Sequence, residues 1–124
     1  MRCVWLSDHA PLQEQVEYLN QRGYEVCWLT SPHPQRWQSG GQAFGEMTAK
    51  FGIPDIIVMI LPADIVGEVF LKLAGDIPVY QPDMQVLGTN RWSWTGKWKR
   101  ITGTKYRVYF TDIPDAKETI CDTN

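Results

Sequence analysis

Residues 84–111 contain no acidic side chain, yet they carry six cations: Arg91, Lys97, Lys99, Arg100, Lys105 and Arg107. That gap makes a basic block within a chain of formal net charge −2. A polyanionic partner would account for such a block, and so would solubility. Cysteine and histidine are scarce, with three and two copies. Cys3, Cys27 and Cys121 are odd in number and lack metal-ligand spacing, so neither zinc nor another metal is expected. Long apolar runs are missing as well. Ile56–Leu61 stops at Pro62, too short for a membrane span. The apolar start at Met1–Leu6 is too short for a signal peptide, so a cytoplasmic protein with reduced cysteines is expected. Neither Gly-x-Gly-x-x-Gly nor a P-loop occurs, which removes the ordinary nicotinamide and nucleoside-triphosphate sites and leaves no cofactor indicated.

What is present reads as one α/β domain over residues 1–113 with a flexible polar tail, 114–124. At 124 residues and 44% hydrophobic content the chain suits a single core. Cys3–Leu6 reads as a strand and Pro11–Arg22 as a helix. In that helix Leu12, Val16 and Leu19 face inward, Gln13, Glu14, Gln15 and Glu17 face outward, and Gly23 is the stop. Glu25–Leu29 is a second strand, and the prolines of residues 30–34 make a loop. Residues 35–51 predict a weak helix with Trp37, Phe44, Met47 and Phe51 on one face. Asp55–Leu61 is an unbroken apolar run, the pattern of a central parallel strand covered on both faces. A helix follows from Pro62, with Ile65, Val66, Val69, Phe70 and Leu73 as its stripe and Gly75 as its end. Ile77–Tyr80 is a fourth short strand. Beyond Pro82, Met84–Leu87, Arg91–Trp94, Lys97–Ile101 and Thr104–Phe110 read as separate antiparallel strands divided by Gly88, Gly96 and Gly103. Residues 88–103 form a Trp-rich basic hairpin in this reading.

Candidate chemistry gathers at the strand-to-helix junctions, because ligands of open α/β sheets bind beyond the carboxyl ends of the strands. Ser7-Asp8-His9 ends the first strand. His9 is either a general acid or base and phosphate donor, or an exposed neighbour of a helix cap, since imidazoles as a class titrate near neutral pH. Asp8 either caps the helix or holds the ring of His9. A second junction is Leu61-Pro62-Ala63-Asp64, where either Asp64 simply complements the helix dipole or the backbone N–H groups of Ala63 and Asp64 face a ligand. Thr30, Ser31 and His33 form a third, whose hydroxyls either bind ribose or phosphate or only shape the turn. In Asn90-Arg91-Trp92-Ser93-Trp94-Thr95-Gly96-Lys97-Trp98-Lys99-Arg100, three tryptophans alternate with four cations. Base stacking with phosphate neutralisation, a self-association surface and packing of the hairpin onto the core all fit that mixture.

A short strand followed by Ser7, His9, Glu14 and Gln15 resembles the opening of small CRISPR-associated accessory proteins of type III systems. Asp8 is an insertion relative to that outline. Ile57–Asp64, an apolar strand ending in Leu-Pro, and the closing strand Tyr106–Ile113 extend the resemblance over most of residues 1–113. The Trp-rich stretch 88–103 has no counterpart in it. The resemblance implies a Rossmann-like fold related to CARF sensor domains, with a mainly parallel sheet and a carboxy-terminal antiparallel β-hairpin. It implies a homodimer that binds a cyclic oligoadenylate, foremost cyclic tetra-adenylate, in a pocket shared by two copies. It also implies metal-free ring cleavage by 2′-OH attack, with His9 and Ser7 catalytic. Asp8, Thr30, Ser31, Leu61, Pro62, Ala63, Asn90, Arg91 and Lys97 would then contact the ligand, with neither membrane nor DNA as a partner. The alternative is a non-catalytic sponge, or an RNA- or protein-binding module acting through the basic hairpin.

Overall fold

The computed structural model describes residues 1–30, 37, 39–60, 67–89, 91–102 and 107–116. Its elements are β1 (Arg2–Ser7), α1 (Gln13–Gln21), β2 (Glu25–Thr30), α2 (Gly40–Phe51), β3 (Ile56–Met59), α3 (Glu68–Ala74), β4 (Val79–Gly88), β5 (Arg91–Thr102) and β6 (Arg107–Thr111). They build one six-stranded mixed sheet in the order β2-β1-β3-β4-β5-β6. The first four strands are parallel, and β5 and β6 add antiparallel. The α/β expectation, parallel first and antiparallel last, is met at this level.

Alternation along the strands sorts the core into two layers. Val4, Leu6, Ile57, Met59, Val79 and Ile101 point to one face and pack with Ala43 and Met47 of α2 and Phe70, Leu71 and Ala74 of α3. Cys3, Trp5, Ile56, Val58, Tyr80 and Trp98 point to the other, with Leu19 of α1, Tyr24, Ile113 and Ala116. β3 is buried at every position, as an apolar run covered on both sides must be. The chain steps from β1 outward to β2 with α1 on one face, then back across β1 to β3 with α2 on the other. The winding therefore reverses between β1 and β3.

Several sequence expectations are corrected. α1 begins at Gln13, not Pro11, because Leu12 holds extended dihedrals (φ −68°, ψ 151°) as the N-cap. Gln15 faces inward and is buried. Its side-chain oxygen accepts from the Leu12 backbone N–H at 2.9 Å, filling a donor that the helix start would otherwise leave open. α1 does stop where expected, with Gly23 at φ 92°. The helix of 35–51 narrows to Gly40–Phe51, N-capped by Ser39, whose hydroxyl accepts from the Gln42 N–H. Trp37 and Met47 are buried, with Phe44 and Phe51 packed against the same layer; the Trp37 indole also donates to Glu46. In α3, Phe70 faces the core as expected and is joined by Leu71, whereas Val69 and Leu73 are exposed; Ile65 and Val66 lie outside the described residues. The packed body also reaches past Ile113: the Ala116 N–H donates to the Arg22 carbonyl at 2.8 Å, and Tyr24 donates to the Pro114 carbonyl.

The largest correction concerns the carboxy-terminal strands. No break occurs at Pro82 or Gly96; β4 and β5 are two long strands, and all three tryptophans of the basic segment lie on β5. Pro82 is tolerated because β3 pairs β4 only as far as Tyr80, so that edge needs no donor from residue 82. Opposite Asp83, β5 bulges through Thr95, Gly96 and Lys97, between the pairs Pro82–Trp98 and Met84–Trp94. The Thr95 hydroxyl donates to the Asp83 carboxylate at 2.9 Å, and the Lys99 ammonium lies 3.2 Å from the same group. These two contacts hold the Asp83 carboxyl below the usual range. Gly96 turns the bulge at φ 86°, with no atom within 4 Å of where a Cβ would sit. Gly96→Ala is therefore expected to cost about 1 kcal/mol from backbone strain alone, read as a lowered urea midpoint at unchanged m-value.

Candidate functional site

β4 and β5 outrun the parallel strands. β3 ends at Met59, whereas β4 continues to Gly88 and β5 returns from Arg91, so the two form an arm rising past the carboxyl rim. Beside its base lies a cleft of about 170 Å³ lined by Asp8, His9, Ile60, Met84 and Trp92. It sits where the winding reverses between β1 and β3, the position at which open α/β sheets bind ligands. The Ile60 N–H donates to the Leu6 carbonyl at 2.8 Å, fixing the two strand ends side by side.

The Ser7-Asp8-His9 turn is self-braced. Ser7 falls on the α1 side of the sheet and is fully buried. Its hydroxyl donates to Asp8 Oδ1 at 3.2 Å and accepts from the His9 backbone N–H at 3.3 Å. His9 Nδ1 lies 2.5 Å from the same carboxylate oxygen. A carboxylate only accepts, so Nδ1 carries a proton; in the neutral form of the ring Nε2 is then the lone-pair acceptor. Slight burial would raise the Asp8 carboxyl, but the hydrogen bond and charge of His9 and the Ser7 hydroxyl outweigh it and hold it low. Asp8 therefore stays ionised above its lowered folded value, and its hold on His9 is lost only as pH falls through that value.

Of the two roles open to Asp8, the geometry selects orientation of His9. The buried Ser7 hydroxyl is engaged with Asp8 and the His9 backbone. The start of α1 is a poor anion cradle: Gln15 occupies the Leu12 N–H, and Glu14 sits in the first turn. Thr30 is the register partner of Ser7 on β2, at the same rim but not lining the cleft. Arg91 opens β5 beside Trp92 and is exposed. Lys97 belongs elsewhere, in a second hollow with Trp98, Phe110, Thr111 and Asp112. Ser31, Leu61, Pro62, Ala63 and Asn90 lie outside the described residues, as do His33 and Asp64.

Two of the three tryptophans of β5 are core. Trp98 is buried against Trp5 and Tyr18, and Trp94 packs on Tyr18 and Trp98 with ring centroids 5.7 and 5.3 Å away. Trp92 alone of the three is strongly exposed, at 61%. The sequence reading missed Ile60 and Met84, which are ordinary apolar strand residues. Gln15 was read as facing outward and was otherwise named only in the family outline. Its amide approaches the Met84 sulfur at 3.5 Å and links α1 to the cleft wall.

The five described lining residues come from β4, β5 and the segments that follow β1 and β3. Among the described residues, no group of three or more His, Cys, Asp or Glu could hold a metal ion, and no helix is long and apolar enough to cross a membrane. Compared with known proteins, the chain matches no family model, no curated protein and no solved structure.

Proposed function

We propose that this chain binds a cyclic oligoadenylate, foremost cyclic tetra-adenylate, and opens the ring without a metal, as an accessory protein of type III CRISPR antiviral signalling. The observation that carries the reading is His9, clamped through Nδ1 by Asp8, facing the same cleft as Trp92. Trp92, Met84 and Ile60 offer apolar and aromatic walls suited to a nucleobase. The cleft is smaller than drug-sized pockets, which hold about 300–1,000 Å³, so one base enters and the rest of the ring lies across the rim. There the phosphodiester meets His9 Nε2, with Arg91 of the arm available to its charge.

In the reaction the ribose 2′-oxygen forms a bond to the adjacent phosphorus, and the bond from phosphorus to the 5′-oxygen breaks. His9 Nε2 takes the 2′ proton, and the leaving 5′-oxygen is protonated by water. A 2′,3′-cyclic phosphate results, so neither a metal nor an oxidant is consumed. The same reading takes the fold as Rossmann-like and CARF-related, supported by the β2-β1-β3-β4 parallel order and the reversal between β1 and β3.

Labelled cyclic tetra-adenylate, incubated with the protein and a chelator, is expected to give a linear product ending in a cyclic phosphate. Binding without that product would make the protein a sponge for the ring. Absence of binding, with tight capture of single-stranded RNA instead, would overturn the reading.

A further inference from the structure

Phe110 of β6 is 60% exposed, and the ammonium groups of Lys97 and Lys99 stand 5.7 and 5.6 Å from its ring centroid. Register sets Phe110 opposite Lys99, and Lys99 opposite Gln81. That row lies on the α2–α3 side of the sheet, where Val79 and Ile101 are covered but Val108 and Phe110 are not. Beside the ring, where β5 bulges and β6 ends, a hollow of about 220 Å³ is lined by Lys97, Trp98, Phe110, Thr111 and Asp112. Trp92 and Met84 share the α1 side with Trp94, so the Phe110 ring and the His9 cleft lie on opposite faces. We propose that the hollow is a second binding site, which takes one nucleotide of a single-stranded RNA.

Each part of the hollow suits one part of that ligand. An open aromatic face stacks an unpaired base of any kind, whereas a base inside a duplex is already stacked. Among the described residues Lys99 is paired with Asp83 at 3.2 Å and no carboxylate pairs with Lys97, which leaves the Lys97 ammonium to a phosphate. Asp112 is an exposed carboxylate at the end of the hollow. It repels phosphate but accepts a hydrogen bond from a ribose 2′-hydroxyl, the group by which a protein tells RNA from DNA. The strands around the site add a complementary charge, since residues 84–111 hold six cations and no acid. Trp94 and Trp98 are taken up by the aromatic core, so the stacking role once open to them falls to a ring on β6 that the sequence does not single out.

This inference does not rest on the cyclic oligoadenylate reading, because the two sites use different residues on different faces. The test measures how the full chain binds a labelled oligouridylate of roughly 12 nucleotides, and the deoxyuridylate of equal length, across a salt series. Uridylate keeps an adenine-binding cleft out of the measurement. The oligouridylate is expected to bind, and more tightly than its deoxy counterpart. Phe110→Ala should weaken it by about 5- to 150-fold, and Phe110→Trp should not. Lys97→Ala should make the slope of log affinity against log salt shallower by about 0.7. Asp112→Ala should remove a preference for RNA of about tenfold without weakening the DNA. Trp92→Ala should leave oligouridylate binding unchanged.

No binding of the oligouridylate, binding indifferent to Phe110→Ala, or equal affinity for the two oligomers would each overturn the proposal. So would a chain that ignores both oligomers but forms a dimer lost in Phe110→Ala, because the surface would then be a protein contact. Failure to bind cyclic tetra-adenylate, with the RNA results as expected, would sink the reading of the cleft and leave this site standing.

Discussion

Trp98→Ala is expected to lower the unfolding free energy by about 3–5 kcal/mol, the range for removing a fully buried large aromatic. Trp98 is 1% exposed and meets Trp5 edge-on at 6.2 Å between ring centroids and Tyr18 at 5.4 Å. Its removal opens a void between α1 and the sheet that rigid β5 cannot close. Domains have only about 5–15 kcal/mol to lose, so the variant should approach its unfolding threshold. Trp92→Ala, six residues earlier on the same strand, should change stability by no more than about 0.5 kcal/mol, since its ring stands in solvent. Urea melts of the two variants provide the check. Equal losses would mean that the arm, and not only the body of β5, packs onto the core.

His9→Ala is expected to slow ring opening by about 10²–10⁴-fold, the usual contribution of a general base, while leaving affinity for the ring nearly unchanged. Asp8→Asn should also slow the reaction. An amide can donate to Nδ1, which favours the tautomer with the proton on Nε2 and removes the base. Trp92→Ala should do the reverse, weakening binding by about 1–3 kcal/mol through lost stacking, with turnover of saturated protein retained. Single-turnover cleavage and equilibrium binding on the three variants separate these effects. Undiminished cleavage by His9→Ala would remove that residue from the chemistry. Loss of binding in His9→Ala with no change in Trp92→Ala would place the base outside this cleft.

Both predictions depend on distinctions that the linear chain shows only in part. The turn Ser7-Asp8-His9 was visible as a site because it ends an apolar strand and precedes a helical pattern, and both signals are local. Its internal bracing was foreshadowed in the reading of Asp8 as a holder of the His9 ring. The rest of the cleft was not visible, because Ile60, Met84 and Trp92 are distant in sequence and of types that any strand uses. Pro82 and Gly96 misled for a related reason. Each is a sound signal of interruption, yet a free strand edge excuses the one and a bulge uses the other. Arg91 and Lys97 looked alike as cations of one basic segment, and the bulge sends them to different places.

Local periodicity by itself determined the order of elements as far as the start of β4, the doubly covered β3 and the Gly23 stop of α1, because these follow from spacing within a few residues. Tertiary structure alone decided which tryptophans became core, that Gln15 would be buried as a helix-start partner, and that Val108, Tyr109 and Phe110 of β6 would stay exposed. Those outcomes depend on which strands become neighbours and in what register. That choice is made by the summed packing of residues far apart along the chain.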